Sequence, residues 1–222
     1  MYAVNHAATA LVIKKYNRSV PLVWLLLAVQ AVEVLWVVFN YLGLEHITVE
    51  NGVMHLGFLP YSHSIVTGLG LALITWLIFA YGLRQPAVGL ALAIGIASHI
   101  FLDLIMHPAD IALAPLPNSP VVGLGVYDIP LLAFAVETMY GIACWWIYRG
   151  SMALLAAIVI LNLLDIPLIF GGSFPSTMSL REVDLIVTTV VAIQILLSWF
   201  VIWFFSYERH EGVRTISPSV AR

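Results

Sequence analysis

Residues 86–107, PAVGLALAIGIASHIFLDLIMH, decide the fold class of this chain. The stretch begins with a proline after Arg84-Gln85 and runs to His107, with Asp103 as its one carboxylate. A helix needs about 20 mostly apolar residues to cross the hydrocarbon core of a bilayer. The stretch meets that length and therefore predicts a transmembrane helix rather than a core helix of a soluble domain.

The composition of the whole chain supports the same conclusion. Hydrophobic residues make up 62% of the 222 residues and charged residues only 9%, with a mean hydropathy of +1.00. Soluble domains carry about 25% charged residues, so most of this surface is expected to face lipid. The net charge of −3 offers no basic face for nucleic acid. The single cysteine, Cys144, excludes an internal disulfide and a cysteine-rich metal site.

Six stretches of the chain meet the same length criterion. They are 20–43, 61–83, 86–107, 127–148, 151–171 and 182–206. The sequence therefore predicts an all-α polytopic membrane protein with about six transmembrane helices. It is expected to divide into an N-terminal segment (1–19), a transmembrane domain (20–206) and a C-terminal tail (207–222).

The basic residues indicate the orientation, because Lys and Arg in short loops favour the cytoplasmic side. With an even number of spans, all but Arg181 fall on one face: Lys14, Lys15, Arg18, Arg84, Arg149, Arg209, Arg214 and Arg222. Both termini are therefore expected in the cytoplasm. Residues 1–19 show no apolar core followed by a cleavage site, so the first span is expected to remain as an anchor. We expect a multi-pass protein of the bacterial inner membrane.

Histidine and aspartate residues form a pattern at the outer end of the 86–107 stretch. His99, Asp103 and His107 follow at i, i+4 and i+8, and each step advances about 40° around a helix, so they form one stripe. His63 opens the neighbouring antiparallel helix from the same side. Nitrogen and oxygen ligands without thiolates suit zinc, with manganese or iron as alternatives. We therefore predict that His63 and Asp103 bind a divalent metal with one or both of His99 and His107, although a structural His–Asp ion pair is the simpler alternative.

Two of these motifs resemble a known family. YSHSIVTGLGLAL at 61–73, followed by SHIFLDLIMH at 98–107, is similar to the YdjM-like inner-membrane metal-dependent hydrolases. The first motif carries the family's His-Ser at the head of one helix (His63-Ser64), and the second carries its Ser-His-x-x-x-Asp on the next. The resemblance covers roughly residues 45–137.

The resemblance implies metal-dependent hydrolysis. A zinc ion with three protein ligands keeps an open position and lowers the pKa of its bound water to about 7. Asp128 or Glu45 is then expected to accept the proton of that water, or to hydrogen-bond a ligand histidine. Because the site is expected just below the outer headgroups, membrane lipid is its expected partner and a lipid-linked ester or phosphoester its expected substrate.

Two other functions remain open from the sequence. A non-catalytic subunit of a larger membrane complex would use the histidine cluster for a structural metal or cofactor. An ion- or proton-coupled transporter would use the intramembrane carboxylates Glu33, Asp103, Glu137 and Asp165 as a relay. The sequence shows no internal repeat of the kind that transporters often carry, which weighs against the second of these functions.

Overall fold

The computed structural model describes residues 1–50, 53–169 and 178–214, and most of these residues are helical. In chain order the α-helices are α1 (Ala3–Tyr16), α2 (Leu22–Val29), α3 (Ala31–Tyr41), α4 (Ile65–Leu77), α5 (Pro86–Met106), α6 (Pro130–Tyr148), α7 (Met152–Leu164), α8 (Ile166–Ile169) and α9 (Leu180–Arg214). The predicted all-α fold class is therefore confirmed.

Two short antiparallel hairpins lie in the connections that the sequence predicts on the outer side. β1 (His46–Glu50) pairs with β2 (Val53–Phe58), and β3 (Ile111–Ala112) pairs with β4 (Val121–Val122). The second connection is rich in proline, which removes backbone donors and prevents a continuous helix. A short 3₁₀ turn, Val126–Asp128, joins this hairpin to α6.

Four helices are long and apolar enough to cross a membrane: α4 with its π-helical extension (Ile65–Gly82), α5, α6 and the first part of α9 (Leu180–Ser206). Together α2 and α3 qualify as a fifth, bent by 56° at the break between them. α7 is apolar but has 13 residues, fewer than the roughly 20 that a span needs. The described residues thus give a polytopic protein with four or five candidate spans, where the sequence predicts about six.

Parts of the predicted boundaries lie outside the described residues, namely 170–171 of the fifth predicted span and 215–222 of the tail. The first part of the predicted tail, 207–214, continues α9 as helix. The side of the membrane that each terminus faces stays a prediction.

α1 lies at the centre of the helical bundle, although residues 1–19 are predicted to form an N-terminal segment outside the transmembrane domain. Ten of its 14 residues are buried, and it contacts α2, α5, α6, α7 and α9. Its many alanines allow these neighbours to approach closely, because small residues favour packing between helices. A search for about 20 apolar residues misses α1 because the helix is too short. By its packing, the segment belongs to the bundle.

Close approaches between helices bring the ends of α2, α4 and α5 together. A Cβ added to Gly68 of α4 would collide with the Ile100 side chain of α5. A Cβ added to Gly95 of α5 would lie 3.2 Å from Ala28 Cβ and 3.3 Å from Val29 Cγ1. These glycines therefore let the α2 and α4 backbones approach α5 close to His99, which lies one turn after Gly95.

Candidate metal centre

Four side chains converge beside the break between α2 and α3, and we call them the inner cluster. Glu33 lies in the first turn of α3, His63 precedes α4, and His99 and Asp103 lie one turn apart on α5. His99 Nε2 is 3.0 Å from Asp103 Oδ2 and 3.4 Å from Glu33 Oε2. His63 Nε2 is 3.3 Å from Glu33 Oε2 and 3.9 Å from Asp103 Oδ2. Glu33 is 19% exposed, and the other three are at most 5% exposed.

The break between α2 and α3 fixes the orientation of His99. Val29 is the last residue of α2, and the last carbonyls of a helix have no intrahelical partner. The Val29 carbonyl oxygen lies 2.9 Å from His99 Nδ1. Because a carbonyl only accepts, Nδ1 carries the hydrogen and donates it. The Nε2 lone pair of a neutral His99 therefore points into the inner cluster.

Ser62 and Glu45 fix the orientation of His63. Glu45 Oε1 accepts hydrogen bonds from the backbone N–H groups of Tyr61 and Ser62, at 2.7 and 2.8 Å, and Oε2 accepts from Ser62 Oγ at 2.6 Å. Since the Ser62 hydroxyl gives its one hydrogen to Glu45, it accepts from His63 Nδ1, which lies 2.8 Å away. His63 Nε2 therefore also presents a lone pair to the inner cluster.

With both histidines neutral, the inner cluster is a set of hydrogen-bond acceptors without a donor among them. His99 Nε2 and Asp103 Oδ2 are buried and have no hydrogen-bond partner. Buried polar atoms nearly always have a partner, so an orphaned pair calls for an explanation such as an ion. Ligand atoms at 2.0–2.2 Å from a tetrahedral zinc lie about 3.3 Å from one another, close to the separations in the cluster. These side chains therefore fit a zinc ion.

A second group of ligand atoms adjoins the inner cluster on the side of α1. His6, His99 and Asp103 each offer an atom within 4.8 Å of the others. The His6 ring stacks on His99 with centroids 3.8 Å apart, and its Nε2 lies 3.2 Å from Asp103 Oδ1. The amino group of Met1 donates to the same oxygen at 2.7 Å. Asp103 Oδ1 is therefore held by groups from α1, while Oδ2 faces the two histidines of the inner cluster.

The structure does not bring His107, the fourth predicted ligand, to the inner cluster. α5 ends one residue earlier, and His107 has an extended backbone with φ −73° and ψ 147°. A proline disfavours helical conformation in the residue before it, so Pro108 ends the stripe after Asp103. His107 Nδ1 lies 3.7 Å from Asp110 Oδ1, and its ring packs edge-on against Tyr127.

The two carboxylates predicted to accept a proton also lie outside the inner cluster. Glu45 is buried, and through Ser62 it orients His63, which matches the alternative role predicted for it. Such a partner fixes the tautomer of a ligating histidine. Asp128 has an exposed side chain, and neither of the ligand groups found among the described residues includes it.

Glu137 and Asp165, two members of the predicted relay, have protein donors of their own. Glu137 accepts hydrogen bonds from the Tyr2 N–H at 3.0 Å, Asn5 Nδ2 at 2.5 Å and the Tyr127 hydroxyl at 2.8 Å. Burial, reinforced by the Glu137 carboxylate, raises the pKa of the Tyr127 phenol well above its usual value, so Tyr127 remains a donor. Asp165 accepts from Gln194.

Glu33 and His6 are absent from the ligand set that the sequence predicts. An intramembrane carboxylate such as Glu33 is itself a signal of function. Its partners, however, depend on the bend between α2 and α3, which hydropathy does not reveal. His6 lies in the N-terminal segment that is predicted to be outside the transmembrane domain. The pattern of predicted spans therefore gives no indication that His6 lies close to α5.

A cleft of about 190 Å³ opens beside the inner cluster, and His63 forms part of its wall. The other walls come from the loop before α4 and from the connection that contains β3 and β4. Apolar residues line much of it, among them Leu59, Pro60, Ala112 and Leu116. Of the four members of the inner cluster, His63 is the one that lines the cleft.

The fold and the inner cluster together define a class of protein: a polytopic α-helical protein with a buried histidine–carboxylate site that fits a divalent metal. No protein-family model, curated protein or solved structure matches the chain. The resemblance to the YdjM-like hydrolases therefore rests on the two sequence motifs, and the structure brings together the His63, His99 and Asp103 that they contain.

Proposed function

We propose that the chain is a membrane-embedded metal-dependent hydrolase in which His63, His99 and Asp103 bind a zinc ion. The observation that carries the proposal is the convergence of oriented acceptor atoms with no donor among them. Two imidazole lone pairs and a carboxylate oxygen form a ligand set typical of catalytic zinc. This set keeps three of the four ligands predicted from the sequence and omits His107.

Glu33 is the residue that we assign to proton transfer. Zinc held by three protein ligands supplies Lewis acidity and lowers the pKa of a bound water to about 7. Glu33 Oε2 lies beside both histidine Nε2 atoms, and Glu33 is the most exposed member of the inner cluster. Its carboxylate is therefore in reach of a water that enters the site and can accept its proton.

The substrate class follows from the position of the site. The inner cluster lies at the ends of apolar helices that are long enough to span a membrane, beside a cleft with apolar walls. A lipid-linked ester or phosphoester is the substrate that this position favours. The outer face of a bacterial inner membrane is where we propose that it acts, in keeping with the distribution of basic residues.

The first experiment is elemental analysis of the purified full chain. We expect about one zinc per chain in the wild type and almost none in His63→Ala, with His107→Ala as a control that keeps the metal. Glu33→Gln should keep the zinc and lose hydrolysis by about 100-fold or more, since general-base catalysis contributes about 10²–10⁴-fold. Absence of zinc from the wild type after reconstitution would overturn the proposal.

A non-catalytic metal subunit is the second candidate, and the position of Glu33 favours it. Its Oε2 lies at 3.3–3.4 Å from both histidine Nε2 atoms, as expected for a fourth ligand. Structural zinc sites have four protein ligands and no open position. In that case Glu33→Gln would weaken zinc binding, and the wild type would hold zinc without hydrolysing any ester.

A further inference from the structure

Resting on the hydrolase function proposed above, we infer that the substrate is a neutral carboxylic ester of a lipid and that anionic phosphoesters are rejected. In this reaction the oxygen of a water forms a bond to the acyl carbon, and the bond from that carbon to the alkoxy oxygen breaks. Glu33 takes the proton from the water and passes it to the leaving alkoxide, so that a carboxylic acid and an alcohol result.

The charge of the outer connections argues against an anionic substrate. Residues 44–60 and 107–129 contain no Lys or Arg, but they contain four acidic residues: Glu45, Glu50, Asp110 and Asp128. A surface of one sign lowers the local concentration of ligands of the same sign. One of these acids, Asp110, lies in the wall of the cleft itself.

Arg181, the one basic residue predicted on this side, is already engaged. Its Nη1 donates to the Asn40 carbonyl at 3.0 Å and to Asp184 Oδ2 at 2.8 Å. Enzymes that act on phosphates usually hold them with Arg or Lys side chains or with a second metal ion. No Lys or Arg side chain lines the described walls of this cleft.

The Met1 ammonium group lies beside the inner cluster but is already engaged, because its nitrogen lies 2.7 Å from Asp103 Oδ1. The charge of the outer connections and of the cleft wall therefore favours a substrate that is neutral at the reacting group.

The rim of the cleft fits the acyl part of a lipid. Large apolar side chains on the connection that holds β3 and β4 are exposed: Leu116 by 66%, Val121 by 50% and Leu124 by 77%. Leu116 and Val121 also line the cleft. Its volume of about 190 Å³ is below the roughly 300–1,000 Å³ of pockets that enclose a whole drug-sized ligand. Only the part of a lipid next to its ester bond is therefore expected to enter.

The test uses the full chain, loaded with zinc in lipid nanodiscs, and three matched substrates. These are p-nitrophenyl hexanoate, the anionic diester p-nitrophenyl hexyl phosphate, and the neutral p-nitrophenyl hexyl methylphosphonate. We expect the anionic diester to have a kcat/KM, relative to the uncatalysed rate, at least about 100-fold below that of the two neutral compounds. Ala112→Lys, which adds a cation to the cleft wall, should reduce the difference in kcat/KM between the anionic diester and the neutral compounds about tenfold, because opposite charge favours encounter. Ala112→Met, of similar bulk, should not.

A readout without turnover separates this inference from the hydrolase proposal. In the cobalt-substituted chain, the visible absorption of the ion reports the binding of the anion hexylphosphonate to the wild type, Ala112→Lys and Ala112→Met. We expect Ala112→Lys to bind it about tenfold more tightly than the other two proteins. Equal binding by the three proteins, or preferred hydrolysis of the phosphodiester, would overturn the inference and leave the hydrolase proposal standing. No hydrolysis of any substrate by the zinc-loaded chain would overturn both the inference and the hydrolase proposal.

Discussion

Asp103 and Asp184 are two equally buried aspartates, each 2% exposed, on apolar helices of the same bundle. Asp184 Oδ1 accepts hydrogen bonds from Asn40 Nδ2 at 2.6 Å and the Ile47 N–H at 3.1 Å, and its Oδ2 accepts from Arg181 at 2.8 Å. Asp103 has donors only at Oδ1, while its Oδ2 faces the lone pairs of His63 and His99.

The difference between these aspartates teaches that burial of a carboxylate does not by itself indicate a functional site. Asp184 is satisfied on both oxygens by groups from α3, β1 and α9, so it ties those elements together. Asp103 has donors at one oxygen only, and its second oxygen faces other hydrogen-bond acceptors. A buried charge that lacks partners is costly. The arrangement at Asp103 is therefore one that a cation completes, and the arrangement at Asp184 is already complete.

The largest difference between Asp103 and Asp184 is expected in the zinc content of the chain when each carboxylate is removed in turn. Asp103→Ala should reduce the zinc content from about one per chain to almost none, because it removes a ligand from a set of three. Asp184→Ala should leave about one zinc per folded chain. Elemental analysis of the monodisperse fraction of each variant measures this. Equal zinc in the two variants would contradict the contrast.

A smaller effect is expected at the hydroxyl that orients His63. Ser62→Ala removes the acceptor of the His63 Nδ1 hydrogen, and loss of such a partner typically weakens metal binding by about 10- to 100-fold. Competition with a chelator of known zinc affinity gives the dissociation constant. Ser98→Ala is the matched control, since the Ser98 hydroxyl bonds to the Gly95 carbonyl beside the site. An unchanged affinity in Ser62→Ala would show that Ser62 does not position the ligand.

The smallest effect, with opposite signs at the two positions, is expected on thermal stability without metal. Asp184→Asn places an amide N–H or an amide oxygen where the carboxylate meets three donors, and an unsatisfied buried group costs about 1–3 kcal/mol. For a chain of this size that lowers Tm by several degrees. At the inner cluster the test residue is Glu33, because Asp103→Asn would also break the buried ion pair with the Met1 ammonium. Glu33→Gln offers an N–H to His63 Nε2 and His99 Nε2, so its Tm should equal or exceed that of the wild type.

Thermal melting of the metal-free proteins, followed by circular dichroism in one detergent, compares the two variants. A fall in Tm for Glu33→Gln as large as that for Asp184→Asn would show that the inner cluster is complete without a cation. A rise limited to Glu33→Gln would sharpen the distinction, because of the two sites only the inner cluster lacks a donor.

The sequence predicted one helix of the site and its neighbour, because both follow from local rules. The apolar run of α5 and the four-residue step from His99 to Asp103 need only helical geometry, and the turn at 84–86 makes α4 its neighbour. His63 follows from its place at the head of α4. The local rule that applies to Pro108 excludes His107 from the stripe, although the spacing alone had included it.

The remaining members of the site depend on tertiary features that a search for spans does not detect. Glu33 reaches the histidines because the span that contains it bends by 56° after Val29. His6 reaches Asp103 because α1, with 14 residues, inserts between helices that are far away in sequence. Of the two carboxylates predicted to accept a proton, Glu45 contacts the site through Ser62, whereas Asp128 has an exposed side chain.

The central position of α1 has a consequence for the order of assembly. α1 is synthesised before the other described helices, yet it packs against α6, α7 and α9, more than 100 residues later in the sequence. Contacts over such distances form only after the intervening chain has been made. The buried Asn5 and His6 of α1 must therefore wait for their partners, so His6, which holds Asp103, is made before Asp103 and reaches it only after the intervening chain is complete.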